Sequence, residues 1–128
     1  MSEHESPSER DAGVDAWREQ LRRGALELAI LLVLSRAPRY GLEIIRHLED
    51  ITDLIVAEGT IYPILTRLAR DRLLEAQWRD GDVHPRKYYR LTRLGRERLE
   101  QLTGSWEEFV GQMARLIAEG RGGRDDSE

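Results

Sequence analysis

Between Thr60 and Arg90 the sequence gathers side chains suited to one kind of chemistry, the binding of a polyanion. Thr60, Tyr62, Thr66, Arg67 and Arg70 fall on the outer side of a helix whose inner side would carry Ile61, Ile64, Leu65, Leu68 and Leu73. Pro63 sits in the first turns of that helix, where a missing N–H is cheap. Arg86, Lys87 and Tyr88 follow as a second cluster. Hydroxyls and guanidinium groups of this kind hold phosphate oxygens, and arginine can also read a guanine edge through two parallel hydrogen bonds. Residues 59–98 carry ten bases against five acids, although the whole chain has a net charge of -4. A basic block inside an acidic protein is the electrostatic footprint of a polyanion partner; the competing reading is a solvated basic face.

Catalysis finds no such support. Cysteine is absent, which removes disulfides, thiolate metal sites and a cysteine nucleophile. The histidines are His4, His47 and His84, too scattered for a metal centre, and no neighbouring pair of titratable groups has a defensible acid–base role. No enzyme, metal or cofactor is expected. The longest apolar run, Ala29 to Leu34, falls far short of the roughly 20 residues needed to span a bilayer. No signal-peptide pattern opens the chain, so a cytoplasmic protein with no membrane partner is expected.

The elements that must position these residues follow from the apolar pattern of the 128 residues. Residues 1–14 are polar and acidic and read as a disordered arm, as do residues 119–128 at the other end. A first helix is expected over 15–35, with Asp15 as its N-cap. Its second half is apolar nearly all round and asks for cover on more than one side, which points to a second chain, with Leu28 and Leu31 at the contact. A short amphipathic helix follows the Arg39–Gly41 turn, then the third helix described above. Runs 75–79 and 86–91 alternate as strands around an Asp80-Gly81 turn, with Tyr89 and Leu91 facing one way and Tyr88 and Arg90 the other. Thr92 is a good N-cap for a last helix over 93–118. There Leu99, Leu102, Trp106, Phe109, Met113 and Leu116 recur at heptad spacing over roughly 40 Å, longer than a small domain needs.

The order helix, helix, helix, hairpin, long helix gives a mostly α fold with a small β-hairpin wing. It is the layout of a winged helix-turn-helix DNA-binding domain (15–92) followed by a C-terminal dimerisation helix (93–118). In such a domain the third helix enters the major groove and the wing follows the backbone. The basic block covers those two elements and neither of the first two helices.

The stretches AILLVLSRAPRYGLEIIRHLE, GTIYPILTRLARDRLLEAQW and PRKYYRLTRLGRERLE resemble the PadR family of bacterial transcriptional regulators, in particular its compact branch with a single C-terminal helix. The most specific pieces are Gly59-Thr60-Ile61-Tyr62-Pro63 and Tyr88-Tyr89-Arg90-Leu91-Thr92, with Gly95 after them. The resemblance implies a homodimer joined through its first and last helices, binding an inverted-repeat operator in double-stranded DNA as a repressor, with release by a small aromatic effector. It places Thr60, Tyr62 and Pro63 at the DNA-facing start of the third helix and Arg86, Lys87 and Tyr88 on the wing. Trp106 matches the tryptophan that stacks on planar ligands in the drug-sensing branch, with Phe109 and Val110 beside it.

Two departures stand out. Ala57 replaces the Ser or Asn that often caps the third helix, and Val83 and His84 stand where the wing tip often has Gly and Arg. Several residues keep two readings. Tyr62 offers its hydroxyl to a phosphate or its ring to packing under the wing, and Tyr40 touches phosphate or sits in the core with a wet hydroxyl. Trp17 caps the dimer contact or borders the effector chamber. At the level of function the other class is a winged-helix protein–protein adaptor without sequence-specific DNA binding.

Overall fold

The computed structural model describes residues 7–52, 56–81 and 83–126. Helix α1 runs from Pro7 to Leu34 and begins well before Asp15. Proline's fixed φ suits a first helical position, and Ala12, Ala16, Glu19 and Gln20 are strong helix formers. The low apolar content that suggests disorder is therefore no obstacle to a helix. Asp15 lies inside α1 and pairs with Arg18 one turn on, at 3.6 Å. All of residues 11–20 are exposed.

The chain then adds strand β1 (Arg39–Tyr40), helix α2 (Gly41–Ile51), helix α3 (Glu58–Arg70), strands β2 (Leu74–Arg79) and β3 (Arg86–Leu91), and helix α4 (Arg93–Asp126). The expected hairpin is β2–β3, in register Leu74 to Leu91 through Arg79 to Arg86. The Arg39–Tyr40 turn is in fact a third strand, pairing antiparallel with Tyr89 and Tyr88 and giving the order β1-β3-β2. Helix α4 also outruns its expected end at 118, continuing through Gly120, Gly122 and Gly123 to Asp126.

One apolar core binds these elements. Leu26, Ile30, Leu31 and Leu34 of α1 meet Ile44 and Leu48 of α2, Ile61, Leu65 and Leu68 of α3, and Leu74, Tyr89 and Leu91 of the sheet. No polar or charged side chain of the described residues is buried. Leu31 has no exposed surface and belongs to this core, which corrects its assignment to a contact between chains. Leu99 and Leu102, the first residues of the α4 seam, are half-buried against the same core.

The end of α3 fixes where the wing begins. Leu73 N–H donates to the Leu68 carbonyl (2.9 Å) and Arg72 N–H to Ala69 (3.0 Å), a helix stop that needs a left-handed residue at its turn. Arg72 fills that place at φ 66°, a position that favours glycine. Thr92 then ties this turn to α4. Its hydroxyl donates to the Arg72 carbonyl (2.7 Å) and accepts from Gly95 N–H (3.0 Å), the N-cap expected of it. A Cβ on Gly95 would stand 2.1 Å from the Leu73 carbonyl oxygen, so only glycine admits this approach. No helix among the described residues is long and apolar enough to cross a membrane.

Candidate nucleic-acid interface

Helix α3 buries Ile61, Leu65 and Leu68 and so turns the opposite stripe outward. At about 3.6 residues per turn that stripe is Gly59, Pro63, Thr66 and Arg70. Tyr62 flanks it on the side of α2 and the wing, and Thr60 and Arg67 flank it on the side of α1. The helix starts without a side-chain cap at Ala57, as its sequence implies. Pro63 lies in the second turn rather than the first. Its missing N–H therefore leaves the Gly59 carbonyl without its helical partner, on the exposed face.

Two arginines three residues apart have different surroundings. Arg67 donates from Nη2 to Glu27 Oε1 of α1 at 3.0 Å, and Arg98 of α4 approaches the other oxygen of Glu27 at 3.6 Å. Arg67 thus joins α3 to the α1–α4 junction and leans away from the outward stripe. Arg70 stays mostly exposed, with Asp71 3.8 Å from its Nε.

Tyr62 packs at the start of α2. Its ring and hydroxyl lie so close to Gly41 that a Cβ there would stand 2.5 Å from the ring, so glycine admits it. The residue as a whole keeps 38% of its surface exposed. Burial first, and Glu58 second, raise the hydroxyl above the ordinary tyrosine value, which keeps it a proton donor at neutral pH.

The wing carries a stacked series. Arg86 lies over the Tyr40 ring at 4.5 Å, Tyr40 meets Tyr88 edge-on at 5.4 Å, and Arg79 lies over Tyr88 at 4.5 Å. Arg79 and Arg86 are direct cross-strand partners. Like charges placed so are unfavourable, and each is held on a tyrosine face instead of a carboxylate. Tyr40 and Tyr88 are half-buried in this stack, and Tyr89 is buried as the alternation requires. Arg79 was not among the expected contacts, because its role depends on cross-strand register.

The bases differ in their partners. Arg67 and Arg98 share Glu27, Arg93 pairs with Glu97, and on the wing itself Arg90 pairs with its cross-strand partner Glu75. Arg79, Arg86 and Lys87 form no ion pair with any described residue. Among the described residues no cluster of groups could hold a metal ion.

The seam of α4 has a different character. Trp106, Phe109, Val110, Met113, Leu116 and Ile117 are all exposed, as are Val14, Trp17 and Leu21 on α1. Where the two helices part, a groove of about 340 Å³ is lined by Gly24, Ala25, Glu27, Leu28, Leu102, Ser105, Trp106 and Phe109. Trp106, Phe109 and Leu28 are therefore brought together, whereas Trp17 and Val110 are not among the groove's walls.

The family model for the PadR-like transcriptional regulators matches residues 30–101. A PadR-like transcription factor from Bacteroides fragilis is 41% identical, at a TM-score of 0.66 over 79% of this chain and 98% of that one. A PadR family transcriptional regulator from Eggerthella lenta is 32% identical at a TM-score of 0.74, over 84% and 90% of the two chains. An uncharacterised protein of Lysinibacillus sphaericus is 35% identical over 106 residues, 80% of this chain and 96% of its own. With its winged helix and a family match over most of the folded core, the chain belongs to the PadR-like family of transcriptional regulators.

Proposed function

We propose that this PadR-family chain is a dimeric repressor. Its two α3 helices enter successive major grooves of an inverted-repeat operator while both wings hold the backbone. The observation that carries this reading is on the wing: Arg79, Arg86 and Lys87 lie against aromatic rings and form no ion pair with any described residue, which leaves their charge for phosphate. Thr60, Tyr62, Pro63, Thr66 and Arg70 serve the groove. Arg79, Arg86, Lys87, Tyr88 and Tyr40 serve the phosphates, and Arg67 serves chiefly to fix α3. The bare α1 and α4 stripes, with Leu28, Trp106, Phe109, Met113 and Leu116, are covered by a second copy, since exposed apolar seams of this length favour burial.

The groove at Trp106, Phe109 and Leu28 is then closed by the partner and takes a small planar aromatic effector, which changes the angle between the two reading heads. Footprinting on duplex selected by the protein from a random pool tests the proposal. Two protected half-sites on one face of the DNA, about 34–36 Å or a multiple of this apart, are expected. A single protected half-site bound by a monomer contradicts it. Trp106→Ala protein that still forms the dimer is expected to lose any effector response. An adaptor would instead show no selected sequence, and would lose nothing with Arg70→Ala.

A further inference from the structure

On strand β2 the core-facing row is Leu74, Ala76 and Trp78. Leu74 is buried and Ala76 packs against the core, but Trp78 is 65% exposed. The row has continued past the edge of the core, and a large aromatic ring faces a groove instead of a neighbour. That groove, about 580 Å³, lies between the wing and the starts of α2 and α3. Tyr62, Tyr89 and Gly41 form its floor, and His84, Arg86 and Lys87 stand at its rim. No carboxylate of the described residues lines it. Lys87, the cross-strand partner of Trp78, holds its ammonium 5.8 Å from the Trp78 ring centre and 5.9 Å from that of Tyr89.

We infer that this groove seats one sugar–phosphate strand of the bound duplex, with a deoxyribose against the Trp78 ring and the adjoining phosphates on Lys87 and the Tyr62 hydroxyl. This rests on the DNA-binding reading above and adds a contact residue to it. Three observations select the occupant. The rim is cationic with no carboxylate among the described residues beside it, which fits a polyanion better than a protein segment. The wall is flat and apolar, which fits the unchanged face of a sugar repeating between phosphates. The groove also adjoins the outward stripe of α3, so a duplex engaged by that helix passes its backbone across it. Trp78 belongs neither to the core nor to the α1–α4 seam, so neither explains an exposed tryptophan here.

Fluorine NMR of the full chain carrying 5-fluorotryptophan gives three signals, for Trp17, Trp78 and Trp106, and loss of one signal in Trp78→Phe assigns it. The inference expects the Trp78 signal to shift on saturation with a selected operator duplex. It also expects Trp78→Ala to weaken binding roughly tenfold, in the range of one aromatic contact to a nucleotide, without changing the salt slope. Lys87→Gln should lower that slope by about one. The inference is overturned if the Trp78 signal stays in place, and Trp78→Ala binds as the wild type does, while Arg70→Ala still weakens binding. In that event the DNA-binding reading survives. If no duplex binds in the presence of competitor DNA, both fall.

Discussion

The winged-helix head and the bare helical pair differ in what completes them. The head is closed: Ile61, Leu65 and Leu68 have no exposed surface, and its helix ends are tied by Thr92, Gly95 and the turn at Arg72. The outer halves of α1 and α4 are open, with Trp17 61% and Leu116 59% exposed. Both were built from heptad-like or helical apolar spacing, so the same pattern produced a core in one place and an unpartnered seam in the other. What separates them is whether the chain supplies a second surface. The head gets α2, α3 and the sheet; beyond Leu102 the apolar seam of the last helix stays exposed.

Truncating the two regions sharpens this contrast most. Leu65→Ala should remove about 2–5 kcal/mol of stability, read as a lower urea midpoint at any protein concentration. Phe109→Ala should leave the midpoint of dilute protein nearly unchanged and act only where copies associate. Equal losses at all concentrations would break the distinction. Gly95→Ala comes next, because its methyl group meets the Leu73 carbonyl; at least the 1–3 kcal/mol typical of overpacking, about that range, is expected in the same assay.

The sequence made one of these regions more legible than the other. Repeats of 3 and 4 marked the α4 seam from Leu99 to Leu116 because period alone exposes a helix face. The wing's alternation likewise placed Tyr89 inside and Tyr88 outside. By contrast β1 is two residues long and exists only through pairing with Tyr88 and Tyr89, far along the chain. Arg67 carried the same local signature as Arg70, and its partner Glu27 lies forty residues away, so composition and spacing do not separate the two. The early start of α1 was hidden for another reason: a polar segment with good helical propensity lacks the apolar stripe that marks a helix.

The two arginines allow a finer test. Arg70→Ala should weaken operator binding by about 1–3 kcal/mol and leave stability unchanged. Arg67→Ala and Glu27→Gln should instead lower stability by roughly 0.2–1 kcal/mol, as expected for a partly exposed ion pair, and affect DNA less. Reversed roles, measured by binding and urea titrations on the same variants, would contradict the placement of Arg67.

The smallest effect concerns pH. Burial raises the Tyr89 hydroxyl, and the neighbouring Tyr62 adds to the shift. A group raised in the fold favours the protonated form there, so stability is intact below pH 10.0, the ordinary tyrosine value, and falls as pH rises beyond it. Tyr89→Phe should flatten that decline in thermal melts.

The central claim, that α3 and the unpaired cations of the wing face DNA in a dimer, is tested most directly by fluorescence anisotropy on a selected duplex across a salt series, with competitor DNA present. Arg79, Arg86 and Lys87 from two protomers offer about six cationic phosphate contacts. At about 0.9 per contact, log affinity should fall against log salt with a slope approaching about -5, and binding should resist competitor. A slope near zero, or binding that competitor DNA abolishes, would contradict the account.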